Sequence, residues 1–160
     1  MNETPMHRDQ DVAGVVIRPP KLWLLAVLAV LLNYWIALPF MPADWPNEWI
    51  GGGLFVFGFL LAIWAFRQFR EFRGDVDTHT PTQFIADTGP FAFSRNPIYL
   101  GMLVSIVGVA VGFNTAWVLI ALLVWYPIMH WGVIAREEAY LERKFGEIYL
   151  AYKRRVRRWL

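Results

Sequence analysis

The chain contains no cysteine, and charged residues are scarcer than in soluble proteins. The missing cysteines exclude disulfide bonds, thiolate nucleophiles and cysteine–metal sites. Charged residues make up 18% of the 160 residues, whereas a typical soluble domain has about 25%. The three histidines, His7, His79 and His130, are far apart in sequence, so no metal site is predicted. The first twenty residues lack an apolar core and a small-residue cleavage site, so we do not expect a cleaved signal peptide.

Hydrophobic residues account for 57% of the chain and concentrate in four long stretches. We interpret these stretches as membrane spans at about 21–40, 49–69, 97–112 and 115–135. The first two have about 20 residues, enough to cross roughly 30 Å of hydrocarbon, and the third is shorter. The sequence therefore predicts an all-α polytopic membrane helical bundle of about four spans. Residues 1–20 are expected to be a polar tail, and residues 21–160 a single domain.

Residues 136–158 change character and predict a C-terminal amphipathic cytoplasmic helix. Apolar side chains recur there at steps of three and four, which is one face of a helix: Leu141, Phe145, Ile148, Tyr152 and Val156. The basic run over residues 153–158 suits an anionic membrane surface. The run adjoins a predicted span and no nucleic-acid recognition fold is evident, so we expect no nucleic-acid partner.

The distribution of basic residues predicts the orientation in the membrane. Lys and Arg precede the first span, follow the second and follow the fourth, whereas the loop at 41–48 has neither. An even number of spans places all the basic regions on one side, which is the cytoplasmic side by the positive-inside rule. We therefore predict a bacterial inner-membrane protein with both termini in the cytoplasm. The lipid bilayer is its expected partner, and the sequence indicates no particular protein partner.

Two polar clusters are predicted to meet at this cytoplasmic face. The first lies in residues 89–101, where a Gly-Pro turn leads into an apolar helix. Asn96 is the expected N-cap of that helix, with Pro97 in its first turn, and a helix N-terminus also suits a carboxylate ligand. The second cluster is Glu137 and Glu138, where the last span leaves the membrane. Polar groups beside a membrane are unfavourable unless they are satisfied or used, so we look for the function here.

Four sequence fragments in fixed order resemble the isoprenylcysteine carboxyl methyltransferase and phospholipid methyltransferase superfamily. The fragments are Gly-Pro-Phe, Arg-Asn-Pro-Ile-Tyr-Leu-Gly, Glu-Glu-x-x-Leu and Phe-Gly-Glu-x-Tyr-x-x-Tyr, and they cover about residues 76–156. The quoted fragments do not extend to the first two predicted spans, which resemble this family only in being membrane spans. The resemblance implies an integral membrane methyltransferase that binds S-adenosylmethionine in a cytoplasmic pocket roofed by the last helices.

Carried over residue by residue, the resemblance also implies a set of site residues. Glu137 would hold the amino or ribose end of the cofactor. Independently of the resemblance, Arg143 is a candidate catalytic contact to the substrate, because it lies on the last helix near Glu137. A solvated or headgroup-binding arginine is an equally good interpretation of Arg143. Asn96 stands where the family usually has histidine, which excludes acid–base titration there. The implied cofactor contacts are Gln83, Phe84, Ile85, Ala86, Phe91, Asn96, Pro97, Ile98, Tyr99, Glu137 and Glu138.

The sequence leaves the methyl acceptor and two other classes of function open. The acceptor would be lipid-like or small and hydrophobic, with a carboxylate, amine or thiol as its reacting group. A membrane reductase of the sterol-reductase type would share the C-terminal helical arrangement but use NADPH. Such reductases are generally larger and need extra basic residues for the 2′-phosphate. A non-enzymatic small membrane subunit, with arginine-rich ends that bind lipid or a partner, is the third possibility.

Overall fold

The computed structural model describes residues 23–74 and 85–160, and within these residues the chain is helical with no strand. Six α-helices follow one another, and a short 3₁₀ turn, Gly89–Ala92, precedes the third. A π-helical segment, Ile128–Ile134, joins the fourth helix to the fifth. The α-helices are α1 Trp23–Trp35, α2 Asn47–Gly74, α3 Pro97–Gly112, α4 Ala116–Pro127, α5 Ala135–Phe145 and α6 Glu147–Arg155.

The helices agree with the predicted spans in order but differ in length. Helix α3 has the predicted bounds of 97–112, whereas α1 ends at Trp35, five residues before the predicted end of the first span. Among the described residues, two helices are long and apolar enough to cross a membrane, Asn47–Glu71 and Ala116–Phe145. The apolar helices α1 and α3 have 13 and 16 residues, which is short of the usual spanning length.

Helices α4 and α5 form one continuous rod through the π-helical segment. Pro127 has no N–H to donate to the carbonyl four residues earlier, and the wider π-helical turns begin directly after it. The 30 residues of Ala116–Phe145 have a length of about 45 Å at 1.5 Å per residue. A hydrocarbon core is only about 30 Å thick. One end of the rod therefore extends beyond the apolar layer. Helix α5 forms this end and carries Glu137 and Glu138 in its first turn.

Helices α2 and α3 pack with their backbones in close contact. A Cβ atom built on Gly58 would lie 2.6 Å from Gly101 O, and one built on Gly101 would lie 2.5 Å from Gly58 O. Only glycine fits at these two positions without moving a helix. Ser105 adds a hydrogen bond across the same interface, since its Oγ donates to Phe55 O at 3.2 Å. This interface fixes the end of α2 relative to the start of α3.

Asn114 fixes the loop that joins α1 to α2. Its Oδ1 accepts hydrogen bonds from the amides of Phe40 at 3.1 Å and Met41 at 2.9 Å, and its Nδ2 donates to Met41 O at 3.0 Å. Asn114 has φ of 43°, which asparagine tolerates better than most residues. Trp117 Nε1 donates to Ile36 O at 2.8 Å in the same loop. The loop is therefore held firmly against the start of α4.

Large apolar side chains on α1 and α2 are exposed along the outside of the bundle. Leu24 and Leu28 on α1, and Phe57 and Leu60 on α2, each leave more than half of their surface uncovered. Contiguous exposed apolar surface of this kind is typical of contact with lipid or with another protein. Together with the two long apolar helices among the described residues, it agrees with the prediction of a membrane protein.

The prediction of a single amphipathic helix over 136–158 is wrong in one respect, because the helix is interrupted at Gly146. Gly146 has φ of 51°, so α5 ends there and α6 starts in a new direction. The break shifts the helical phase: Tyr149 is buried, whereas Ile148, which was expected on the apolar face, is 70% exposed. Residues 156–160 lie beyond α6 and fold back toward the start of α3.

Candidate active site

A cavity of about 330 Å³ lies where the end of α2, the start of α3, α5 and α6 meet. Pockets for small molecules and cofactors typically range from about 300 to 1,000 Å³. Aromatic and aliphatic side chains form most of the wall, and polar groups converge at a few points. The lining residues are Phe69, Ile85, Ala86, Phe91, Arg95, Asn96, Pro97, Ile98, Tyr99, Glu137, Glu138, Tyr140, Leu141, Tyr149 and Tyr152.

The predicted cofactor contacts that fall within the described residues all line this one cavity. They come from the loop before α3, the first turn of α3, and α5: Ile85, Ala86, Phe91, Asn96, Pro97, Ile98, Tyr99, Glu137 and Glu138. Gln83 and Phe84 lie outside the described residues. Arg143 is exposed on α5 and does not line the cavity. The structure therefore does not bring the predicted catalytic arginine to the other predicted site residues.

Tyr99 and Glu137 form a hydrogen-bonded pair on the cavity wall. The Tyr99 hydroxyl donates to Glu137 Oε1 at 2.8 Å, which joins the first turn of α3 to the first turn of α5. A carboxylate has about four acceptor positions, and Tyr99 uses one of them. A carboxylate beside a phenol ring suits a ligand that carries a positive charge or hydroxyl groups.

Glu138 differs from its neighbour Glu137 because two arginines form salt bridges with it. It is buried, and Arg158 approaches it with two nitrogens, Nε at 3.1 Å from Oε1 and Nη2 at 2.6 Å from Oε2. Arg95 Nη2 lies 3.1 Å from Glu138 Oε1. Two arginines against one carboxylate leave this cluster with a formal charge of +1. The hydrogen bond to Glu138 also raises the pKa of Arg158, so Arg158 remains charged.

Arg95 is a cavity residue that the sequence-based site assignment missed. Its side chain is 8% exposed, and its Nη1 donates to Lys153 O at 3.3 Å. Its Nε–H is buried and has no hydrogen-bond partner among the described residues. A buried donor without a partner is unfavourable unless a ligand satisfies it. The signal was present in the sequence, since Arg95 directly precedes the Asn-Pro that opens α3.

Asn96 occupies the N-cap position of α3, as predicted, but its side chain does not cap the helix. Its Nδ2 instead donates to Arg158 O at 3.2 Å, and its backbone amide donates to Ser94 Oγ at 3.2 Å. The expectation of a side-chain cap is therefore wrong, because the side chain is drawn to the chain segment after α6. The first-turn amides of α3 still point outward from the helix end, as at any helix N-terminus.

Two tyrosines of α6 complete the wall, and neither was predicted as a site residue. The Tyr152 hydroxyl donates to Phe91 O at 2.8 Å, which closes α6 onto the loop before α3. Burial raises the pKa of Tyr149 and of Tyr152 above the ordinary value of 10, so both hydroxyls stay protonated. Both residues lie in the Phe-Gly-Glu-x-Tyr-x-x-Tyr fragment, which is the signal that could have identified them.

Comparison with known proteins agrees with this arrangement. A sequence model described as phospholipid methyltransferase matches residues 46–148, which include α2, α3, α4, α5 and most of the cavity wall. An uncharacterized protein of Haemophilus influenzae is 38% identical over 65 residues, which is 39% of this chain and the whole of that protein. No solved structure matches. The chain therefore belongs to the phospholipid methyltransferase family, a family of membrane methyltransferases.

Proposed function

We propose that this protein transfers a methyl group from S-adenosylmethionine to a lipid-like or small hydrophobic acceptor at the membrane surface. The observation that carries the proposal is that groups of opposite charge, a carboxylate and an arginine cluster, lie together at the cavity wall. Glu137 on α5 supplies a carboxylate, and the cluster of Arg95, Arg158 and Glu138 carries one surplus positive charge. A ligand with both an ammonium and a carboxylate group is complementary to such a wall.

The residues present fit S-adenosylmethionine group by group. Glu137, with Tyr99 beside it, suits the ammonium group or the ribose hydroxyls. The unpartnered Nε–H of Arg95 and the first turn of α3 suit the carboxylate. Aromatic walls, among them Phe91 and Tyr149, suit the adenine ring and the sulfonium charge. When bound, S-adenosylmethionine supplies an electrophilic methyl group.

The size of the cavity bears on where the acceptor lies. About 330 Å³ is near the lower limit for small-molecule sites, which is room for one cofactor-sized ligand. Long hydrocarbon chains on an acceptor must therefore lie outside the cavity, against the exposed apolar surface of the bundle. The residues of the cavity then position the two reactants and exclude water. Alignment of two bound reactants lowers a barrier by up to about 7–11 kcal/mol.

The proposal includes the orientation of the protein in a bacterial inner membrane. Arg67 and Arg70 lie near the end of α2, where Phe69 lines the cavity, and the basic run of α6 lies at the same end. The loop between α1 and α2 has no lysine or arginine and lies at the opposite end of α2. The positive-inside rule then places the cavity and both termini in the cytoplasm. In this arrangement α1 and α3 complete four membrane-crossing or membrane-embedded helices.

The family assignment and the cavity favour methyl transfer over the two alternatives. Arg95 is the one arginine among the described residues that line the cavity, and it is already bound to Glu138, so these residues offer little positive charge for the 2′-phosphate of NADPH. A non-enzymatic subunit would not need a buried, unpartnered Arg95 Nε–H at the wall of a cavity.

Equilibrium binding of S-adenosylmethionine to the detergent-purified protein tests the proposal, with NADPH measured in parallel. We expect saturable binding of S-adenosylmethionine alone. Glu137→Ala should weaken this binding at least tenfold, and the matched control Glu147→Ala should not, because Glu147 is exposed on α6. Binding of NADPH alone would identify a reductase. Binding of neither ligand by folded protein would exclude both enzyme classes.

A further inference from the structure

We propose that residues 156–160 form a strap that holds two walls of the cavity together, with Arg158 as its positioning residue. The strap runs from the end of α6 across the start of α3 to α5. Arg158 does not line the cavity, so it acts through the residues that do. The binding part of this inference rests on the proposed function, whereas the strap itself rests on contacts within the chain.

The side chain of Arg158 fastens the strap to the rod formed by α4 and α5. Its two contacts to Glu138 form a fork, in which one guanidinium meets both carboxylate oxygens. Its Nη1 lies 2.7 Å from His130 Nε2, in the π-helical segment. A guanidinium only donates, so His130 Nε2 is the acceptor in this contact. The π-helical turns after Pro127 thus place His130 and Glu138 around one arginine.

The backbone of the strap fastens it to the opposite wall. Arg158 O accepts hydrogen bonds from Ser94 Oγ and Asn96 Nδ2, each at 3.2 Å. Arg157 O accepts from the Arg95 amide at 2.9 Å. One residue, Arg158, therefore binds α5 with its side chain and the start of α3 with its carbonyl.

The strap also determines where the cavity arginine lies. Arg95 is bound to Glu138 by its side chain and to the strap by its amide. Glu138 thus serves as the anchor that Arg95 and Arg158 share, so its role differs from the cofactor contact that the family resemblance implies. Removal of the Arg158 side chain leaves Arg95 as the one arginine of this pair bound to Glu138. The strap then loses its attachment to α5, which loosens the carbonyls that accept hydrogen bonds from Ser94, Arg95 and Asn96.

Hydrogen exchange and cofactor binding, measured on the same full-length variants, test the inference. Arg158→Ala should remain folded, exchange the amides of residues 94–96 at least tenfold faster, and bind S-adenosylmethionine at least tenfold more weakly. Arg158→Lys should be intermediate, because an ammonium keeps the charge but cannot form the fork. The matched control is Arg157→Ala, which also removes one arginine charge but from an exposed side chain. It should behave like the parent in both measurements.

Each other outcome is decisive. Unchanged exchange at residues 94–96 in Arg158→Ala would show that the Arg158 side chain does not hold the strap in place, which would refute its role as the positioning residue. Faster exchange with unchanged affinity would show that the strap stabilises the fold without positioning the site. If the parent does not bind S-adenosylmethionine, the proposed function is refuted. The exchange measurement still tests whether residues 156–160 hold the start of α3 in place. If Arg158→Ala does not fold, Arg158→Lys and Ser94→Ala replace it. Ser94→Ala removes one hydrogen bond to the strap but also the acceptor of the Asn96 amide, so exchange is then read at the Arg95 amide, which donates to Arg157 O.

Discussion

Tyr99 and Glu137 are 38 positions apart in sequence, yet the Tyr99 hydroxyl donates a 2.8 Å hydrogen bond to Glu137 Oε1. The bond joins the first turn of α3 to the first turn of α5, across a cavity wall. Each residue lies in a different fragment of the motif set, with an apolar helical hairpin between them. The fold thus brings two short motifs together, and the pair they form is the polar centre of the candidate site.

Tyr99→Phe should weaken S-adenosylmethionine binding by about tenfold. The substitution keeps the ring and removes only the hydroxyl that orients Glu137. Hydrogen bonds to charged groups contribute about 1.5–3 kcal/mol, and about 1.4 kcal/mol corresponds to tenfold in affinity. Calorimetric titration of purified protein measures the change. Tyr34→Phe serves as the control, because Tyr34 is exposed near the end of α1; equal affinities for the two variants would refute a role for the Tyr99 hydroxyl.

Gly58→Ala should destabilise the protein, whereas Gly52→Ala on the same helix should not. A Cβ at Gly58 meets Gly101 O at 2.6 Å, whereas a Cβ at Gly52 meets nothing within 4 Å. Overpacking typically destabilises by about 1–3 kcal/mol, and alanine at an open helical site is favoured over glycine. Thermal unfolding in one detergent measures both variants. A Gly58→Ala protein as stable as Gly52→Ala would show that α2 and α3 are not in backbone contact.

Local patterns in the sequence predicted the helices well where chain-breaking residues stand at their ends. Pro97 opens α3, and the Gly-Phe-Asn sequence at 112–114 forms the turn into α4, as expected. The break at Gly146 was missed, because the apolar spacing continues across it and only the positive φ reveals it. Once the break shifts the phase, Tyr149 rather than Ile148 enters the core.

Most of the candidate site was predictable from motifs, but its long-range contacts were not. Nothing in the order of residues shows that Glu138 binds Arg158 whereas its neighbour Glu137 binds Tyr99. That difference depends on the π-helical turns after Pro127 and on the path of residues 156–160. Arg143 shows the reverse case: its position near Glu137 on the last helix suggested a substrate contact, whereas its side chain is exposed and does not line the cavity.

The stability of the protein should fall as the pH rises above about 10. Burial holds the pKa of Tyr149 and Tyr152 above that of an unfolded tyrosine. Above pH 10 the unfolded chain therefore loses these protons first, which favours unfolding, and below pH 10 the contribution is constant. Absorbance of tyrosinate in folded and denatured protein measures the difference. The difference between the native titrations of the parent and of Tyr152→Phe gives the tyrosinate absorbance of Tyr152. This absorbance should appear well above pH 10, and its appearance at about pH 10 would contradict the buried position of Tyr152.

A single cysteine in the loop before α2 and a single cysteine on α6 should be labelled from opposite sides of the membrane. The parent has no cysteine, so each new thiol is the only target and the parent is the blank. Asp44→Cys lies in the exposed loop before α2, and Ala151→Cys lies on the exposed face of α6 beside the basic run. Because the positive-inside rule places basic segments in the cytoplasm, an impermeant maleimide should label Asp44→Cys in intact spheroplasts and Ala151→Cys only after lysis. Labelling of both in intact spheroplasts would require an even number of crossings between residues 44 and 151 and would place the cavity away from the cytoplasm.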